Sequence, residues 1–185
     1  VAKNQSKALG FAGPVAGVCE KKMIVAGGAN FPDAMPWLGG KKKYYKDVFV
    51  YVKKGDRVVL QKKQFQLDVT VAYAACCSTS KGIVYAGGEN EQGISNKVFV
   101  LQLVQNAPTL VVQNLPDLPV AVTNASMTVN GNMIYIAGGE KAEGVSDMFF
   151  SLDMDHIAEG WKQLPLISKP VSHAVLVFQK SKDHE

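Results

Sequence analysis

A stretch of aromatic, amide and carboxylate side chains follows the first of three diglycines in the chain. The members of this stretch that could do chemistry are Asn30, Phe31, Asp33, Trp37 and Tyr44. Aromatic faces stack on the apolar side of a polyhydroxylated ring, and amide and carboxylate groups hydrogen-bond to its edges. The stretch therefore predicts a sugar-binding loop. An equally open interpretation is that Phe31 and Trp37 only pack the loop onto its own sheet.

The length of this loop also points to a function. From the second glycine to the first apolar residue of the next strand, the spacing is 20 positions in the first unit, 10 in the second and 9 in the third. The three loops span 29–47, 89–97 and 140–147. Loops of unusual length are commonly binding or active-site loops. We therefore expect the first loop to do more than connect two strands.

Three apolar segments that end in Gly-Gly form an internal repeat, at 23–28, 83–88 and 134–139. The diglycines are separated by 60 and then 51 residues. Each is followed by a polar loop and a second apolar run, and further strand-like segments lie before and after this pair. Each unit therefore holds four short strands, and the dipeptide Asn130-Gly131 predicts a two-residue hairpin with positive φ at both positions.

Three such units predict an all-β fold. It is a β-propeller of three four-stranded blades plus one strand of a fourth, which is half of a six-bladed propeller. The chain is then a single partial propeller domain over 1–185, with blades at about 10–66, 69–116 and 122–165 and the extra strand at about 171–178. An antiparallel sandwich is the alternative, but the threefold repeat favours the propeller. The three loops share one face, at the mouth of the central channel.

Composition limits the other possibilities. The chain is 47% hydrophobic and 19% charged with a net charge of +4, which is typical of a folded domain rather than a nucleic-acid-coating chain. The basic run at 41–46 is interpreted as a solvated loop, so no nucleic-acid partner is expected. Cys19, Cys76 and Cys77 have neither disulfide nor zinc spacing, and no metal site is predicted. No apolar run reaches the roughly 20 residues of a membrane span, so no membrane partner is expected.

The diglycine pattern, completed in the third unit by Trp161 and Pro165, resembles kelch repeats. A more specific resemblance rests on the segments 10–17 and 24–33 together with Met35-Pro36-Trp37. These are similar to the sialic acid (N-acetylneuraminate) mutarotase or epimerase family, in its cyclically permuted branch, and the chain resembles about the first half of such a protein. The resemblance implies a six-bladed propeller that interconverts the α and β anomers of the sugar. It implies a general base, an acid and a cation for the sugar carboxylate, and no cofactor.

The family's catalytic blade reads Gly-Glu, two variable residues, Pro-Gly, one variable residue and Arg. The segments 88–95 and 139–146 come closest, which makes Glu89 and Glu140 the candidate catalytic carboxylates, with a structural or rim role as the alternative. Both segments have Ser in place of the Arg and lack the Pro. We therefore expect the catalytic Glu and Arg outside these 185 residues. Arg57, in a turn on the opposite face, is a poor candidate for the cation.

Three functions stay open at this point: a sugar mutarotase or a fragment of one, a kelch protein-interaction module, and a non-catalytic sugar-binding module. The expected partner is sialic acid or a related sugar. Because three blades cannot close a ring, we also expect either a longer product or a homodimer that completes the ring. The residues do not fix the compartment, and a periplasmic location is slightly favoured over a cytoplasmic one.

Overall fold

The structure, a computed structural model, describes residues 9–104 and 109–180, and its main feature is three antiparallel sheets that follow one another along the chain. The first sheet, blade 1, has the strand order β1-β2-β5-β6, with a short strand β7 also paired to β5. Its strands, with the small hairpin β3-β4, are β1 (Val15–Cys19), β2 (Lys22–Ala26), β3 (Ala29–Asn30), β4 (Lys43–Tyr44), β5 (Asp47–Lys54), β6 (Arg57–Leu60) and β7 (Phe65–Gln66). The outer strand of blade 1 is thus divided into β6 and β7.

Blades 2 and 3 have four strands each, in the orders β8-β9-β12-β13 and β14-β15-β18-β19. Blade 2 holds β8 (Ala75–Thr79), β9 (Gly82–Ala86), β12 (Val98–Leu103) and β13 (Leu110–Leu115), with the hairpin β10 (Glu89–Asn90) and β11 (Gly93–Ile94). Blade 3 holds β14 (Ser126–Asn130), β15 (Met133–Ala137), β18 (Phe149–Asp153) and β19 (Lys162–Gln163), with the hairpin β16 (Glu140–Lys141) and β17 (Gly144–Val145). Two 3-10 helices lie at Pro36–Leu38 and Ile157–Glu159. No helix within the described ranges has the length and apolar character needed to cross a membrane.

Each of the three polar loops after the diglycines contains one of these two-stranded hairpins. The predicted turn at Asn130-Gly131 is shifted by one residue, because Asn130 still pairs with Met133 in the ladder. The turn residues are therefore Gly131 and Asn132. Of the predicted pair only Gly131 has a positive φ, of 57°.

The core lies in two layers, one between blades 1 and 2 and one between blades 2 and 3. On β9, Ile83 and Tyr85 pack in the first layer, whereas Val84 and Ala86 pack in the second. All five residues of β9 are buried. A strand covered on both faces reads as a continuous apolar run rather than an alternating one, which is why β9 is uniformly apolar.

The diglycines form the joints between blades. The amides of Gly28, Gly88 and Gly139 donate to the carbonyls of Val71, Val122 and Val171, at 2.7, 2.8 and 2.7 Å. A Cβ added to Gly87 would lie 2.2 Å from the carbonyl oxygen of Val122, and its φ is +67°. Only glycine allows the backbone of the next blade to approach this closely.

The segment 171–178, predicted as the first strand of a fourth blade, begins with the same joint. The carbonyl of Val171 accepts a hydrogen bond from the amide of Gly139, as that of Val71 does from the amide of Gly28. The Ser126 hydroxyl also donates to the carbonyl of Ala174. The segment has no partner strand among the described residues, and it is therefore not assigned as a strand. Its side chains at Val175 and Val177 are exposed.

Candidate functional site

Four residues at equivalent places in successive units form an axial ring: Gly13, Tyr73, Asn124 and His173. All four have a positive φ, between 52° and 58°. The amide of Tyr73 donates to the carbonyl of Gly13 at 2.7 Å, that of Asn124 to Tyr73 at 2.9 Å, and that of His173 to Asn124 at 3.1 Å. Each unit thus donates a backbone hydrogen bond to the unit before it, and the innermost strands are held around a common axis.

The axial ring lines an open depression of about 360 Å³. Tyr73, Asn124 and His173 carry side chains on a left-handed backbone, which Asn and His adopt more readily than other non-glycine residues but which is costly for Tyr73, and such strain is concentrated at functional sites. The residue after each diglycine lies beside this ring, since Glu89 is bridged to Ala72 and Glu140 to Thr123. The backbones of both candidate carboxylates therefore lie beside the axial ring, although neither residue lines the depression itself.

Glu89 is held by the long loop of blade 1. Its Oε1 accepts a hydrogen bond from the Tyr44 hydroxyl at 2.7 Å and from Lys42 Nζ at 2.9 Å. The Lys42 ammonium also lies 5.0 Å from the centre of the Tyr73 ring. The basic run at 41–46 is therefore not simply a solvated loop, because one of its lysines forms a partly buried ion pair across the blade boundary.

This contact changes the acid strength of both donors. Burial, and then the hydrogen bond to Glu89, raises the pKa of Tyr44 to about 12. For Lys42, burial acts downward, but the hydrogen bond and the charge of Glu89 leave its pKa raised overall. At neutral pH the cluster therefore holds a neutral phenol and an ammonium on the same carboxylate.

Glu140 is held by the next unit of the axial ring. Its Oε2 accepts from Asn124 Nδ2 at 3.4 Å, and its Oε1 lies 3.2 Å from His173 Nε2. The hydrogen bond from Ser172, followed by those from Asn124 and His173, lowers the pKa of Glu140 below its ordinary value. Glu140 is thus an ionised carboxylate at the channel mouth, beside an imidazole. It can accept a hydrogen bond from a ligand hydroxyl.

The residues of the long loop fall into two groups. Tyr44 joins the Glu89 cluster, and Asn30 lies nearby, where its Oδ1 accepts from the Tyr45 hydroxyl at 2.9 Å. Phe31 is half-buried, while Asp33 is exposed. Trp37 stands on the 3-10 helix and is 78% exposed, so it does not pack against its own blade.

Several members of the site were missed by the sequence reasoning: Lys42, Tyr73, Asn124 and Ser172. His173 was noted but given no partner. The available signal was the repeat itself, because Tyr73, Asn124 and His173 each lie two residues after a joint valine. Arg57 begins β6 and is exposed, away from these clusters. Within residues 9–104 and 109–180, no group of three or more His, Cys, Asp or Glu side chains could hold a metal ion.

Three repeated four-stranded sheets, joined at diglycines around an axial ring, resemble the blades of a kelch-repeat β-propeller. Two curated proteins are similar to part of this chain. The chain is 36% identical over 107 residues to Adagio-like protein 3 of Oryza sativa subsp. japonica, which is 54% of this chain and 17% of that protein. It is 32% identical over 114 residues to the N-acetylneuraminate epimerase of Vibrio vulnificus (strain YJ016), which is 57% of this chain and 29% of the relative.

The solved structure of YjhT has the same fold. It superposes with a TM-score of 0.65 over 88% of this chain and 54% of the YjhT chain, at 15% sequence identity. No family model matches the chain. The matched regions span less than a third of the length of these curated relatives. What is established is therefore kelch-repeat homology and part of a propeller.

Proposed function

We propose that the chain is part of a sialic acid (N-acetylneuraminate) mutarotase and supplies the sugar-binding portion of its central mouth. The observation that carries this proposal is the Glu140 carboxylate beside the axial depression, kept ionised by Ser172, Asn124 and His173. The relatedness to an N-acetylneuraminate epimerase supports the choice of sugar.

In the proposed reaction a general base takes the proton of the anomeric hydroxyl, the bond between the anomeric carbon and the ring oxygen breaks, and an acid gives a proton to the ring oxygen. Reclosure on the other face of the carbonyl gives the second anomer. Glu140 is the candidate base or hydrogen-bond acceptor for a sugar hydroxyl. Glu89 is already engaged by Tyr44 and Lys42, and we assign it the role of positioning the long loop.

The partner of Glu140 in catalysis is not evident in this chain, because neither Gly-Glu segment carries the Pro or the Arg of the family motif. We propose that the Glu and Arg of that motif belong to a blade outside these 185 residues. The chain by itself is then expected to bind the sugar, and to accelerate anomer exchange only weakly.

The test is a titration of the purified chain with N-acetylneuraminate, followed by NMR of the sugar and of the backbone amides. We expect saturable shifts around Asn124 and His173, and about tenfold or greater weakening in Glu140→Gln, since a hydrogen bond to a charged group is lost. Glu143→Gln, on the exposed turn of the same hairpin, is the matched control. Exchange between anomers, measured in the same tubes, separates an enzyme from a binding module. If no site saturates, the sugar proposal is wrong.

A second candidate function, protein interaction, is favoured by one observation. Met35, Trp37 and Leu38 form an exposed apolar tip on the long loop. Single exposed apolar side chains are common, but a contiguous group marks an interaction surface. The relatedness to Adagio proteins is compatible with either function. A spectrum that N-acetylneuraminate leaves unchanged would favour this second candidate.

A further inference from the structure

A cavity of about 620 Å³ lies at the boundary between blades 1 and 2, where Glu89 is one of its lining residues, and it shares no lining residue with the axial depression. We call it the interblade cavity. One wall is the connector Val69, Thr70 and Val71, and the other is a row of side chains on blade 2. That row is Tyr85, Phe99 and Asn114, which pair directly across β9, β12 and β13. The volume falls in the range of small-molecule sites.

The floor of the cavity is aromatic. The rings of Tyr85 and Phe99 are stacked, with their centres 5.1 Å apart. Phe99 remains half-buried, so part of its ring faces the open space. At the rim, Lys97 Nζ pairs with Asp117 Oδ2 at 2.6 Å. The charges at the rim thus neutralise each other.

The Tyr85 hydroxyl has no hydrogen-bond partner among the described residues, although the side chain is only 2% exposed. No fully buried side-chain nitrogen or oxygen in the described ranges lacks a partner. The hydroxyl must therefore touch open space, and the space that Tyr85 lines is the interblade cavity. Burial, with the charge of Asp68 as a second cause, raises the pKa of Tyr85, which leaves the hydroxyl protonated as a donor at neutral pH.

The boundary between blades 2 and 3 is equivalent to the one that holds the interblade cavity, but its corresponding positions are packed. In blade 3, Ile136 is equivalent to Tyr85 of blade 2, and Met148 is equivalent to Lys97. The equivalence follows from the backbone, because the amide of Gly138 donates to the carbonyl of Met148 as the amide of Gly87 donates to that of Lys97. Ile136 and Met148 are 0% and 5% exposed and belong to the core. Blade 2 therefore has a phenol and an ammonium at the two positions that blade 3 fills with buried apolar side chains.

We propose that the interblade cavity binds a small neutral ring compound that carries a hydrogen-bond acceptor. The acceptor takes the hydrogen bond of Tyr85, and the ring packs on Phe99. A ligand without negative charge is favoured, because Lys97 is already neutralised by Asp117 and Glu89 by Lys42, while the charge of Asp68 acts on the Tyr85 hydroxyl. This site differs from the sugar mouth, and it does not depend on the proposed mutarotase activity.

The test uses benzamide, a neutral aromatic amide, titrated into the full chain and followed by amide shifts and saturation transfer. We expect saturable binding below about 10 mM with shifts centred on Val69, Tyr85 and Phe99. Tyr85→Phe keeps the ring and removes the donor, so binding should weaken about three- to tenfold. Val69→Trp should block the cavity, whereas Val58→Trp, an exposed valine on β6 outside it, should not.

Absence of saturation, shifts centred on the axial ring, or equal binding by Val69→Trp and Val58→Trp would each overturn the proposal. If Val69→Trp fails to fold, Tyr85→Phe alone decides, because it changes one atom. The two sites are separable. Glu140→Gln should leave benzamide binding unchanged, and Val69→Trp should leave the response to N-acetylneuraminate unchanged.

Discussion

The Tyr44 hydroxyl donates a 2.7 Å hydrogen bond to Oε1 of Glu89, and this contact joins the long loop of blade 1 to the first hairpin of blade 2. Lys42 binds the same oxygen. The loop is therefore fixed at its C-terminal end by the neighbouring blade as well as by the β3-β4 hairpin of its own blade. A ligand at the mouth would meet a positioned loop, which lowers the entropic cost of binding.

Glu89→Gln tests this connection directly. Loss of the carboxylate should bring the pKa of Tyr44 down from about 12 toward its ordinary value of 10. The pKa of the tyrosines can be followed by ultraviolet absorbance or by NMR of the ring carbons. Glu143→Gln serves as a control, and a Tyr44 that titrates identically in Glu89→Gln and in the parent chain would contradict the contact.

The diglycine joint gives a prediction on stability. Gly87→Ala places a Cβ 2.2 Å from the Val122 carbonyl oxygen, at a φ of +67°. We expect the free energy of unfolding to fall by about 2–4 kcal/mol, since both a clash and a strained φ are introduced. Gly131→Ala, at φ +57° with open space around the new Cβ, should cost only about 1 kcal/mol. Urea denaturation of the two variants measures the difference, and equal losses would mean that the close approach is not required.

A surface pair on blade 3 gives a dependence on pH. His156 Nδ1 lies 2.8 Å from Asp153 Oδ2, and the hydrogen bond to Asp153 raises the pKa of His156 above 6.5. Because the folded pKa is higher than the unfolded one, the pair stabilises the fold below about pH 6.5, and this stabilisation is lost as the pH rises through the folded pKa. Asp153→Asn should lower the pKa of His156 in an NMR titration. An unchanged value would show that the two side chains do not interact in solution.

The sequence predicted the diglycine strands and the apolar strands that follow them, but not the contacts between units. The apolar runs before each diglycine became β2, β9 and β15, because period and glycine placement are local properties. Glu140 and His173 are far apart in the chain and in different units. Their 3.2 Å approach depends on the joint at Val171, which no spacing within one unit reveals.

The interpretation of the basic run at 41–46 as a solvated loop missed a contact between units for the same reason. Lys41, Lys42 and Lys43 look alike in sequence, yet only Lys42 reaches Glu89, since the direction of each side chain is set by the short hairpin of blade 1.

The predicted position of the turn after β14 was wrong for a local reason. The Asn-Gly dipeptide predicts a turn, but Asn130 remains in the ladder, so that Gly131 is the first turn residue and the predicted position is one residue early.

The two tryptophans offer a matched comparison of a packed and an exposed indole. Trp161 packs against the core between blades 2 and 3, and its Nε1 donates to the carbonyl of Pro116 at 2.8 Å. Trp161→Phe removes this hydrogen bond between blades, and should lower the free energy of unfolding by about 1–2 kcal/mol. Trp37→Phe, at a residue that is 78% exposed, should change it by less than about 0.5 kcal/mol. Urea denaturation followed by circular dichroism avoids reliance on the fluorescence of the residue that was changed. A loss in Trp37→Phe as large as that in Trp161→Phe would show that the long loop, rather than the kelch tryptophan, stabilises this fold.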